Sequence, residues 1–68
     1  MLTTYTQVGN VYKKNNITVI LSDMAKIEFY RKGKLNIILC DKDNLEYQLR
    51  RVERLVSNET TKDWNNNH

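Results

Sequence analysis

Apolar and polar residues alternate along this chain with two different periods. Residues 17–21, ITVIL, form a continuous β-branched and aliphatic run, and residues 35–40, LNIILC, form a second. Runs of that length and type read as strands that are apolar on both faces. Between them KIEFYR alternates, with Ile27 and Phe29 on one face and Glu28 and Tyr30 on the other, as a strand requires. The RKGK segment after it predicts a tight hairpin turn, with Gly33 supplying a positive φ. Ser22 also allows another reading: it would cap a helix running to Lys32 with Gly33 as its stop, giving a strand–helix–strand unit. Phe29 and Tyr30 favour the strand.

The N-terminal segment TTYTQVGNVYK is rich in Thr, Tyr and Val. It predicts strands near 4–8 and 11–13 around a Gly9-Asn10 hairpin turn, or one longer strand with a bulge at the glycine. KKNN at 13–16 is a polar turn. After the DKDN turn the period changes: Leu45, Leu49, Val52 and Val56 recur at i, i+4, i+7 and i+11, one face of a helix from about 44 to 57. Asp43 followed by Glu46 resembles a capping box, and Glu46 and Arg50 stand at i,i+4. Residues 58–68 are polar and asparagine-rich and read as a flexible tail in which Trp64 is the only aromatic. The expected fold is α+β: a small antiparallel sheet of four to five strands with one C-terminal helix, over a single domain at 1–57. The alternative is a β-hairpin followed by a βαβα order.

Asn16–Phe29 and Lys34–Tyr47 align at a shift of eighteen positions, with Ile20 over Ile38, Leu21 over Leu39, Asp23 over Asp41 and Glu28 over Glu46. We read this as one idiom used twice, an apolar strand closed by an Asp-containing turn. The copies diverge past the turn: AKIEFY stays extended while NLEYQLRR turns helical.

Size narrows the possibilities further. A core built from 68 residues supplies on the order of 3–5 kcal/mol unaided, and small domains commonly add a disulfide, a metal or a partner subunit. With one cysteine, Cys40, and one histidine, His68, neither an internal disulfide nor a His/Cys zinc site can be built. Self-association is the remaining support. One helix cannot cover both faces of a sheet containing two doubly apolar strands, and a second copy is the simplest cover. The free cysteine, the lack of a signal-like N-terminus and the absence of a long apolar run point to the cytoplasm and away from a membrane.

The search for chemistry finds little. Cys40 has no base partner and reads as a buried, inert thiol; Ser22 and Ser57 have none either. Asp41 and Asp43 open a calcium-loop-like DKDN, but the glycine and glutamate that such a loop needs further on are missing. No phosphate-cradling glycine loop exists. The sequence therefore predicts a non-enzymatic protein with no catalytic residue, no cofactor and no metal.

Net charge is +3 overall, divided as six bases against two acids in residues 1–34 and five against six in 35–68. The basic half supplies candidate phosphate contacts at Lys13, Lys14, Arg31, Lys32 and Lys34. Tyr5, Tyr12 and Tyr30 are candidates for one base-stacking sheet face.

The patterning around Ile17–Phe29 and Leu35–Cys40, over residues 17–57, resembles the closing half of small bacterial pleckstrin-homology-like domains. It is also similar to LytTR-type DNA-binding domains. No functional residue carries over from either. The proline-free, Asn- and Lys-rich style resembles small orphan proteins of phages that infect low-GC Gram-positive bacteria, which implies residence in the host cytoplasm. The leading expectation is a self-associating protein-interaction module, an accessory protein acting on a host factor. The alternative is a small basic nucleic-acid-binding protein.

Overall fold

A computed structural model describes residues 2–66, with side chains described as far as Ser57. It is a five-stranded antiparallel meander with one helix on one face. The strands are β1 (Thr6–Val8), β2 (Val11–Lys14), β3 (Ile17–Leu21), β4 (Ala25–Arg31) and β5 (Lys34–Cys40), hydrogen-bonded in chain order. A 3₁₀ turn at Lys42–Asn44 leads into the helix α1 (Leu45–Asn66). The α+β expectation holds, and residues 25–31 are strand, so the βαβα alternative is excluded.

Local chemistry explains the meander. Gly9-Asn10, Asn15-Asn16 and Lys32-Gly33 are two-residue turns, and each opens on a positive φ: 61° at Gly9, 52° at Asn15 and 55° at Lys32, with 75° at Gly33. Turns of this kind match the twist of the strands they join, and Gly and Asn reach such angles with little strain. Lys32 is the exception. Asn10 ties the top of β2 to the end of β3: its carbonyl accepts from Leu21 N–H at 3.0 Å and its Nδ2 donates to the Leu21 carbonyl at 2.8 Å.

The core lies between the sheet and α1. On the sheet it contains Ile17, Val19, Ala25, Ile27, Phe29 and Cys40, and on the helix Leu45, Leu49 and Val52. The pairings Ile17↔Phe29, Val19↔Ile27 and Leu21↔Ala25 put these alternate residues on one face, and the helical face read from the sequence lies on it with Val56 at its margin. α1 packs chiefly on β4, one strand in from the edge.

Three details differ from expectation. β1 begins at Thr6 rather than near residue 4, because Tyr5 N–H turns back to the Leu2 carbonyl at 3.1 Å. Entry to α1 is through the 3₁₀ turn, where Asn44 N–H donates to the Asp41 carbonyl at 2.9 Å and Asp41 makes no side-chain cap. The helix also continues beyond residue 57 to Asn66. No glycine or proline follows Ser57, and extending a formed helix costs far less than starting one. The side chain of Trp64, and all of residues 1, 67 and 68, lie outside the described residues.

Candidate interaction surface

The pairing pattern assigns every strand residue to a face. The face away from α1 carries Thr6 and Val8 of β1, Val11 and Lys13 of β2, Thr18 and Ile20 of β3, Lys26, Glu28 and Tyr30 of β4, and Leu35, Ile37 and Leu39 of β5. Its centre is polar. Lys26 Nζ lies 3.6 Å from Glu28 Oε2, with Thr18 beside Glu28. The apolar exposure lies at the two edges: Val8 of β1 is 75% exposed at one, and at the other β5 carries three residues in a row on this face, Leu35, Ile37 and Leu39, at 49%, 54% and 64%. The sequence pattern predicted apolar residues across both strong strands, and the structure confines the large exposed ones to the second.

The phase of β5 is the opposite of what polarity suggests. Asn36 is the one polar residue inside the run, yet it pairs with Phe29 on the helix side of the sheet, while its three aliphatic neighbours face outward. The two-residue Lys32-Gly33 turn sets this register, because turn length fixes which residues stand opposite. It places Ile38 opposite Ile27 and Cys40 opposite Ala25, where the helix covers them.

β5 is also an open edge. Which backbone groups point outward follows from parity. Leu21 N–H donates to the Asn10 carbonyl and Tyr30 N–H to the Asn16 carbonyl. Backbone groups alternate sides along a strand, so Lys26, Glu28 and Tyr30 bond towards β3 while Ala25, Ile27, Phe29 and Arg31 bond towards β5. Their partners Cys40, Ile38, Asn36 and Lys34 are thereby occupied. The N–H and C=O groups of Leu35, Ile37 and Leu39 are left facing the free edge. The same three residues thus present both apolar side chains and open backbone.

The meander also segregates charge. The β2–β3 and β4–β5 turns lie at the same end of the sheet, joined by the Tyr30–Asn16 bond of 3.3 Å. All five sequence candidates, Lys13, Lys14, Arg31, Lys32 and Lys34, therefore gather at that end. The opposite end carries Asp23, Asp41 and Asp43 with Lys42. Lys14 Nζ donates to Thr4 Oγ1 at 3.1 Å and lies 5.4 Å from the Tyr5 ring centre. The three tyrosines do not share an exposed face. Tyr5 is buried, Tyr12 packs against the core and Tyr30 alone is exposed on the outer face. Tyr12 stands opposite Val19 on the helix side of the sheet, whereas Tyr30 stands opposite Leu35 on the outer side.

Tyr5 closes the basic end of the core. Its hydroxyl donates to Glu53 Oε2 at 2.6 Å. Burial, then the hydrogen bond and negative charge of Glu53, push the phenol well above its usual range. The raised folded pKa means this stabilisation is full below the unfolded value near 10 and is lost as pH rises beyond it. The fall in urea midpoint between about pH 9 and pH 11 is expected to be smaller in a Tyr5→Phe variant. The variant is also expected to lose about 1–2 kcal/mol at neutral pH.

A groove of ≈ 900 Å³ separates the β2–β3 turn from α1, with Ile17 and Val56 against Lys14, Glu53 and Arg54. Cys40 is buried, and its thiol is pushed up by burial and by the charge of Asp41. Among the described residues, no three His, Cys, Asp or Glu side chains gather as a metal site would need. No helix among them is long and apolar enough to cross a membrane. No protein-family model, curated protein or solved structure matches the chain.

Proposed function

We propose that the chain is a non-enzymatic interaction module that works by self-association, with the outer side of β5 as its contact surface. The observation that supports this most is the exposure of Leu35, Ile37 and Leu39 along an unpaired edge. Small proteins rarely leave contiguous aliphatic surface beside open backbone without a partner. A host protein, the partner class implied by the phage-like style of the sequence, would compete for the same surface. Sedimentation or light scattering at micromolar concentration is expected to give a dimer or larger species. A strict monomer through the high-micromolar range overturns the reading.

The gathering of Arg31, Lys32 and Lys34 with Lys13 at one end of the sheet favours nucleic acid as the second reading. It requires a salt-sensitive shift of DNA or RNA that charge reversal at Lys32 and Lys34 weakens. Without any shift at low salt this reading falls.

A further inference from the structure

We infer that two copies join β5 to β5 in antiparallel fashion, about a twofold axis through Ile37, to form one continuous ten-stranded sheet. The inference rests on the self-association proposed above and specifies its geometry.

Backbone parity is the first support. Leu35, Ile37 and Leu39 hold the outward N–H and C=O groups of β5. A twofold axis at Ile37 makes Ile37 pair with the partner's Ile37, and Leu35 with the partner's Leu39. Each of these is a position where two residues exchange both hydrogen bonds. A twofold interface must use the same patch on both copies, and the Leu-x-Ile-x-Leu spacing reads alike in both directions around Ile37. The outer face of each pair is then aliphatic against aliphatic.

Charge is the second support. β5 runs from the basic end of the sheet to the acidic end. Antiparallel pairing therefore lays Arg31, Lys32 and Lys34 of one copy beside Asp41 and Asp43 of the other, twice over. In the Ile37-centred register Lys34 pairs with the partner's Cys40 and the Lys32-Gly33 turn comes level with the partner's Asp41. A parallel arrangement would bring like ends together.

The rest of the surface argues against the competing geometries. Face-to-face stacking of the sheets would bury the Lys26–Glu28 pair and Thr18 at its centre. The opposite edge, β1, is only Thr6–Val8, and parity leaves it Gln7 alone with outward backbone; the Gln7 side chain bends back to the Gly9 carbonyl at 3.0 Å. β5 has seven residues and no proline. α1 packs on β4 and leaves that edge open. The contact would bury on the order of 1,000 Å² over both copies, at the small end of specific interfaces, which fits a micromolar rather than nanomolar dissociation constant.

Cysteine cross-linking of the full chain in a Cys40→Ala background tests the geometry. Backbones at a twofold-paired position stand about 5.5 Å apart, within disulfide reach. Ile37→Cys is expected to oxidise rapidly to a covalent dimer. Leu35→Cys and Leu39→Cys are expected to link when mixed and to link poorly alone. Tyr30→Cys lies on the same face and is similarly exposed, but it is one strand in and is expected to stay unlinked. If the native chain sediments as a dimer while Ile37→Cys fails to link, the edge geometry is overturned and self-association stands. Linking at Tyr30 instead of Ile37 would assign the contact to stacked faces and overturn it equally. A native chain that is strictly monomeric removes both this inference and the reading beneath it.

Discussion

A Leu49→Ala variant is expected to be largely unfolded at 25 °C. Leu49 is 1% exposed. It sits midway along the helical face formed by Leu45, Val52 and Val56 and belongs to the same buried cluster as the sheet residues Val19 and Ile27. Removing three buried carbons costs the transfer energy of those atoms and leaves a cavity, about 2–5 kcal/mol in all. A domain of this size holds about 3–5 kcal/mol in its core, so one substitution consumes most of the margin. No disulfide or described metal cluster offsets the loss. Far-UV circular dichroism and a urea titration measure it directly. Tyr47→Ala, two residues away but on an exposed side chain, provides the contrast and is expected to change stability by less than about 1 kcal/mol. If Leu49→Ala kept a native urea midpoint, α1 could not pack on the sheet as described. The proposed dimer would add a further signature: native stability should rise with protein concentration, because the partner binds only the folded chain.

The elements that were legible in the sequence are those whose period has one meaning. Leu45, Leu49, Val52 and Val56 can share a face only on a helix, and they do. Ala25, Ile27 and Phe29 alternate with Lys26, Glu28 and Tyr30, and that alternation decided strand over helix for residues 25–31. The repeat behaves the same way: both copies are strand up to their Asp turn, then one continues as β4 and the other as α1.

The outward side of β5 was not legible, because LNIILC contains no alternation from which to read a face. Its single polar residue, Asn36, points to the wrong answer. Only the pairing imposed by the Lys32-Gly33 turn settles which residues α1 covers. The Tyr5–Glu53 hydrogen bond joins residues 48 apart, beyond any local pattern. The basic residues can be listed from the sequence, but their gathering at one end depends on the number of turns between them. That same count places Asp41 and Asp43 at the other end and gives the molecule its two unlike ends.

Ile37→Glu is expected to convert the protein to a folded monomer. Ile37 is 54% exposed, so the separate chain loses little by the change, about 0.5 kcal/mol. Across a twofold axis the consequence is doubled. Each copy withdraws an aliphatic side chain from the contact, at about 1 kcal/mol apiece for a half-buried group. The two carboxylates then stand directly opposite each other, which is destabilising by a further amount approaching 1 kcal/mol. The sum, on the order of 3 kcal/mol, raises the dissociation constant about 100-fold or more. Sedimentation velocity over a dilution series reads this, while circular dichroism should remain native. The symmetry supplies its own control. Ile37→Lys alone should also be monomeric, because it too opposes like charges. An equimolar mixture of Ile37→Glu and Ile37→Lys places opposite charges at the axis and should recover dimers, all of them mixed. A surface that used Ile37 off any axis would set it against a different residue, and mixing the two variants would then restore nothing. Recovery by mixing therefore depends on the residue meeting itself, which places Ile37 on a twofold axis, as the pairing of β5 requires.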